Sequence, residues 1–153
     1  MGLPSLTAEE REAFLAEPHV GILSVASDDG RPPLAVPVWY AYQPGGDLTF
    51  FTGTQGVKAR KARLIERAGV VSFCVQQEAF PYKYATVEGR VVKADRSPSV
   101  EEVLAIVRRY LPEENARGFA ATELSRPAAE SQFVLYTVRP ERWHSADLSG
   151  AGE

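Results

Sequence analysis

From His19 onward, apolar and polar residues alternate in short runs separated by Gly, Pro and Asp. A period of two predicts half-buried strands joined by tight turns. His19–Ser27 is the first, followed by a hairpin-type turn at Asp28-Asp29-Gly30. Pro33–Tyr42 is the second, with Leu34, Val36, Val38, Tyr40 and Tyr42 on one face. Pro37 has no N–H to give to a ladder, so this strand is expected at a sheet edge or with a bulge there. Pro44-Gly45-Gly46-Asp47 predicts another turn, and Leu48–Thr52 the third strand. Val70–Val75 reads as a buried strand, Tyr84–Ala94 as a long one with a bulge at Gly89, and Gln132–Val138 as the last.

Elsewhere the period is helical. Thr7 and Glu10 form a capping-box pair ahead of Phe14 and Leu15, and Pro18 stops that helix. A second helix is expected at about 57–68. A third starts at Ser99 with Glu102 as box partner, its stripe of Val100, Val103, Leu104, Val107 and Leu111 facing the core. Pro112 opens a further short helix carrying Phe119, and 123–130 reads as a loop. Strands dominate and turns are short, which predicts an antiparallel barrel with peripheral helices rather than a βαβ sheet. The 153 residues suit a single domain spanning 1–153, with a frayed polar tail after about 147.

Composition narrows the possible partners. The net charge of −3 argues against a general nucleic-acid binder. Residues 58–67 nevertheless carry a local balance of +4, from Lys58, Arg60, Lys61, Arg63 and Arg67 against Glu66, so an anionic ligand is expected to be small and local. No apolar stretch approaches the ~18 residues of a membrane span, and no signal peptide is read at the start. The one cysteine, Cys74, lies in the apolar run Val70–Val75 and reads as a buried core thiol, and its lack of a disulfide partner fits a reducing, cytoplasmic compartment. His19 and His144 are the only histidines; no metal site and no catalytic triad is expected.

The chemistry concentrates in Phe50-Phe51-Thr52-Gly53-Thr54-Gln55-Gly56-Val57-Lys58-Ala59-Arg60-Lys61. A strand ends in hydroxyl residues, two glycines relax the backbone and a basic helix begins, which is how chains hold phosphate. On a helical wheel Val57, Leu64, Ile65 and Ala68 form the apolar face, with Lys61 inside it and Lys58 at its edge, while Arg63 and Glu66 point to solvent. A lysine so placed snorkels, pairs with a carboxylate such as Glu88, or meets an anion.

The order of a strand bearing Pro37-Val38-Trp39-Tyr40, then Phe50-Phe51-Thr52, then Arg60-Lys61 on a helix, a buried strand, and Tyr82-Lys83-Tyr84 leading to Val87-Glu88-Gly89 resembles the pyridoxamine 5′-phosphate oxidase-like family of flavin-binding split barrels, in particular its deazaflavin-using branch. The likeness covers about residues 10–145. It implies a mainly β fold, a six-stranded antiparallel split β-barrel, forming a homodimer with FMN or an 8-hydroxy-5-deazaflavin coenzyme between subunits. Thr52 or Thr54 and the Arg60-Lys61 pair would then hold the phosphate. Spacing from Thr52 favours Lys58, spacing back from Val71 favours Lys61, and the helical face supports Lys61. The backbone of Val36, Pro37, Val38 and Trp39 would lie against the flavin ring. Of Trp39 and Tyr40, one would face the barrel and the other the groove. Tyr82 and Tyr84 would line the substrate side, or pack in the core or against the second subunit.

A flavin exchanges hydride at its own ring, so the absence of a triad fits this chemistry. The C-terminal Arg139-Pro140-Glu141-Arg142-Trp143-His144-Ser145 lacks the Arg-Leu-His-type substrate signature of true pyridoxamine phosphate oxidases. The expected reaction is therefore reduction of a small conjugated or heteroaromatic compound. Two other readings stand beside it: a non-catalytic flavin- or haem-binding sensor on the same barrel, and a cofactor-free interaction module.

Overall fold

The computed structural model describes residues 3–52, 60–125 and 133–149. Helix α1 (Ala8–Ala16) opens on the expected reciprocal cap, Glu10 N–H donating to Thr7 Oγ1 and Thr7 N–H to Glu10 Oε1. Its apolar edge, Phe14 and Leu15, is fully buried, each side chain contributing about 1.5–3 kcal/mol through removal from water. Strands β1 (Gly21–Val25), β2 (Leu34–Val38), β3 (Tyr40–Tyr42) and β4 (Leu48–Thr52) follow. Then come α2 (Arg60–Ala68), β5 (Val70–Gln77), β6 (Lys83–Asp95), α3 (Val100–Val107), α4 (Glu113–Leu124) and β7 (Val134–Asp147).

All pairings are antiparallel, in the order β2-β1-β5-β6-β7-β4-β3. The fold is the mainly β split barrel with peripheral helices, but among the described residues the count is seven strands rather than six. The difference lies at Trp39. The run expected as one strand pairs with β1 through Val38 and with β4 from Tyr40 onward, so β2 and β3 are two halves of one extended segment sitting at opposite ends of the strand order. Pro37 stands opposite Ile22 on β2, an outermost strand of the sheet order, where a missing N–H is tolerated. The bulge at Gly89 is present: the β6–β7 register shifts between Glu88 and Gly89. A Cβ on Gly89 would sit 2.7 Å from the Arg139 carbonyl oxygen, so the two backbones approach more closely than another residue allows.

The inward faces of the strands form the main core around Tyr40, Phe50, Phe73, Leu23 and Tyr136, with Leu64 and Ile65 of α2 closing it. A second cluster joins α3 and α4 to Trp39, Phe51 and Phe133. Three expectations are corrected. Cys74 is half-buried rather than a core residue, because β5 alternates strictly: Val71, Phe73 and Val75 point inward and Cys74 outward. Val100 belongs to the exposed side of α3. Strand β7 continues nine residues beyond Val138, carried by pairing with β6 as far as Asp147.

Candidate cofactor site

Helix α2 buries Ala62, Leu64 and Ile65 and turns its charges outward. Each arginine there meets a carboxylate of the β1–β2 turn. Arg60 Nε lies 3.4 Å from Asp29 Oδ2, and its Nη2 donates to Ser27 Oγ at 2.9 Å. Arg63 Nη1 donates to Asp28 Oδ2 at 2.6 Å, and Arg67 Nε lies 3.6 Å from the same oxygen. Glu66 pairs with Arg96. The hydrogen bond from Arg63 holds the Asp28 carboxyl below the usual range. Bonds from the Ser27 hydroxyl and then Arg60 do the same for Asp29.

Lys61 is the exception. Among the described residues no carboxylate pairs with it, although it is half-buried, and desolvation pushes its pKa down. Glu88, the alternative partner, instead bonds His144 Nε2 at 3.0 Å. Thr52, at the inward end of β4, is 1% exposed, and its Oγ1 has no hydrogen-bond partner among the described residues. Residues 53–59 connect Thr52 to α2; Thr54 and Lys58 lie outside the described residues. A buried, unsatisfied hydroxyl and a partly desolvated ammonium at the two ends of one connection are a donor set suited to an oxyanion. The residues present therefore fit a phosphate group.

Strand β2 adds a backbone edge. Among the described residues it pairs with β1 alone, so its other edge has no strand partner there, and it also approaches β4, the strand of Thr52. Val36 is half-buried, Pro37 exposed and Val38 buried. Tyr40 faces the barrel, whereas the Trp39 ring stacks on Tyr110 at 5.1 Å and 7° and packs against Phe119. The ring of Trp39 is thus engaged by Tyr110 of the α3–α4 turn and Phe119 of α4, leaving the β2 backbone as what this run offers a planar ligand. Tyr82 and Tyr84 are exposed and border an open cleft of about 380 Å³ with Gln76, Gln77 and Lys83. His19 packs on Phe14, and no group of three or more potential metal ligands occurs among the described residues.

Arg60 and Lys61 are therefore not brought to one partner: Arg60 is drawn to the acidic turn and Lys61 is left uncompensated. In the sequence Asp28 and Asp29 read only as turn formers. The available signal was charge complementarity between two adjacent acids and a basic helix some 31 residues on.

A family model described as pyridoxamine 5′-phosphate oxidase matches residues 7–147. No curated protein matches the sequence. Among solved structures, an F420 reductase is 27% identical, covering 87% of this chain and 94% of its own, with a TM-score of 0.66. An FAD-binding protein from Mesorhizobium loti is 22% identical over 95% of this chain and 97% of its own, with a TM-score of 0.59. A heme binding protein from Mycobacterium smegmatis, 18% identical over 99% of this chain and 57% of its own, shares the fold at a TM-score of 0.58. With nearly the whole described barrel inside the matched region, the chain belongs to the pyridoxamine 5′-phosphate oxidase family.

Proposed function

We propose that the protein is an oxidoreductase that binds a phosphorylated flavin-type coenzyme, FMN or the 8-hydroxy-5-deazaflavin coenzyme F420, and reduces a small conjugated or heteroaromatic compound. One observation carries the reading: Lys61 is the only α2 cation among the described residues left without a carboxylate, and it is partly desolvated. The F420 reductase at 27% identity supports the deazaflavin alternative.

Lys61 and Thr52 Oγ1 would hold the phosphate, with Thr54 and Lys58 as further candidates on the connection. Arg60 keeps Nη1 for an anion while its Nε and Nη2 face the turn. The β2 backbone from Val36 to Trp39 would support the ring. When bound, the coenzyme supplies hydride exchange, and the protein binds, orients and shields it. The cleft at Tyr82 and Tyr84 would receive the substrate.

The same reading makes the protein a cytoplasmic homodimer. Pairing sets Pro37, Ile22, Cys74, Thr86 and His144 in one outward row across five strands, and Ile22 is 41% exposed. An outward row with an exposed isoleucine suits a second copy.

The test is a fluorescence titration with each coenzyme, followed by turnover over an acceptor panel. Binding of one coenzyme by the native protein, markedly weakened by Lys61→Glu, is the expected result. Binding of neither rejects the proposal. Tight binding without turnover would instead favour a non-catalytic binding role, for which the shared fold of the heme binding protein gives a precedent.

A further inference from the structure

The β1–β2 turn is built to present its acids. Asp29 Oδ1 accepts from the Ser27 hydroxyl and from Arg31 N–H, and Gly30 turns the chain with φ of 77°. That geometry fixes the carboxylate before Arg60 reaches it. Asp28 serves both Arg63 and Arg67. Exposed ion pairs of this kind contribute little to stability. Their effect on charge is larger: two adjacent carboxylates pair with three arginines lying along one helix, next to an uncompensated lysine, and cancel most of their charge.

We propose that Asp28 and Asp29 are specificity-determining residues, which by pairing with Arg60, Arg63 and Arg67 lower the charge that α2 presents and so favour a single phosphate group over a nucleic-acid polyanion. The inference rests on reading Lys61 as the phosphate ligand. Without the two acids, Arg60, Arg63 and Arg67 would present their full charge, the kind of surface that displaces counterions from nucleic acid.

The experiment compares the native protein with the Asp28→Asn/Asp29→Asn variant, using a short labelled DNA duplex as the polyanion and fluorescence anisotropy as the readout. Near 50 mM salt the variant is expected to bind at least about tenfold more tightly than the native protein. With three arginines released, that affinity should fall about fortyfold by 200 mM salt. Arg63→Gln and Arg67→Gln introduced into the same variant should reverse most of the gain. The single Asp28→Asn, which leaves the Asp29–Arg60 contact in place, should give an intermediate gain and guards against a folding defect in the double variant. No gain in a variant with native circular dichroism and melting temperature overturns the proposal, as does a gain that survives removal of the two arginines. The DNA measurement needs no coenzyme. Failure of the native protein to bind either coenzyme strikes the Lys61 reading, whereas failure of the variants to gain DNA affinity strikes the role of the turn.

Discussion

The phenolic hydroxyl of Tyr40 donates to the main-chain carbonyl of Leu15 at 2.6 Å, so the first residue of β3 terminates α1. The same hydroxyl reaches the Glu17 carbonyl at 3.1 Å, where Arg109 Nη2 also donates at 2.9 Å. Helix α1 is thereby fastened to the barrel by its C-terminal carbonyls, which a helix cannot satisfy internally. Tyr40→Phe should lower stability by about 1–2 kcal/mol, because a buried acceptor loses its partner. Chemical denaturation of both proteins measures the difference, and an unchanged midpoint would remove the hydroxyl from this role.

Burial raises the pKa of Tyr40, and likewise those of Tyr42 and Tyr110, and pushes that of Tyr136 up to about 12. In the unfolded chain these groups ionise at the ordinary 10.0. Their folded values are raised, so the stability they contribute is fully present below pH 10 and is lost as pH rises toward and through the folded values. Thermal stability should fall steeply above pH 10, and in a Tyr82→Phe/Tyr84→Phe background, which removes the two exposed phenols, tyrosinate absorbance should rise in one step with loss of the fold. A gradual rise in the intact protein would show that these hydroxyls are open to solvent.

Lys61 is expected to act in the opposite direction in the free protein. Its folded pKa lies below 10.5, so its charged form is disfavoured by folding, and stability rises as pH climbs from the folded value to the unfolded one. Lys61→Met should therefore raise the melting temperature of the coenzyme-free protein, by about 1–3 °C, while abolishing most anion affinity. In the native protein, phosphate affinity should decline with pH as the ammonium loses its proton, below 10.5. A pH-independent affinity in that range would assign the charge to another residue.

Thr52→Val separates folding from binding. The hydroxyl has no partner among the described residues, so its replacement by a methyl should leave the free protein equally stable or up to about 1 kcal/mol more stable. Coenzyme affinity should fall about tenfold, the value of one hydrogen bond to a charged acceptor. A clear loss of stability would mean that the hydroxyl is satisfied inside the protein.

Much of this architecture is legible in the sequence where a local rule acts alone. Leu48–Thr52 is a strand at the expected boundaries because its alternation is regular and a turn precedes it. Both capping boxes form because each needs only two residues three apart. What escapes is set by distant partners. The segment Arg139–Asp147 is largely charged or polar, and only the length of β6 makes it a strand. Trp39 interrupts what reads as one strand because β1 and β4 compete for the two halves of the run. The same limit applies at the candidate site. The helix face of Lys61 is visible in its periodicity, but the capture of Arg60 by Asp29 joins residues that no local pattern relates.

The exchange of partners at Trp39 also bears on how the chain resists aggregation. The outermost strands of the hydrogen-bonded order are successive halves of one run, so neither is a free end that can peel away independently to recruit a foreign strand. The β2 half carries Pro37, which offers no N–H, and the β3 half is only three residues long. A growing fibril would find no long template on either side of the barrel.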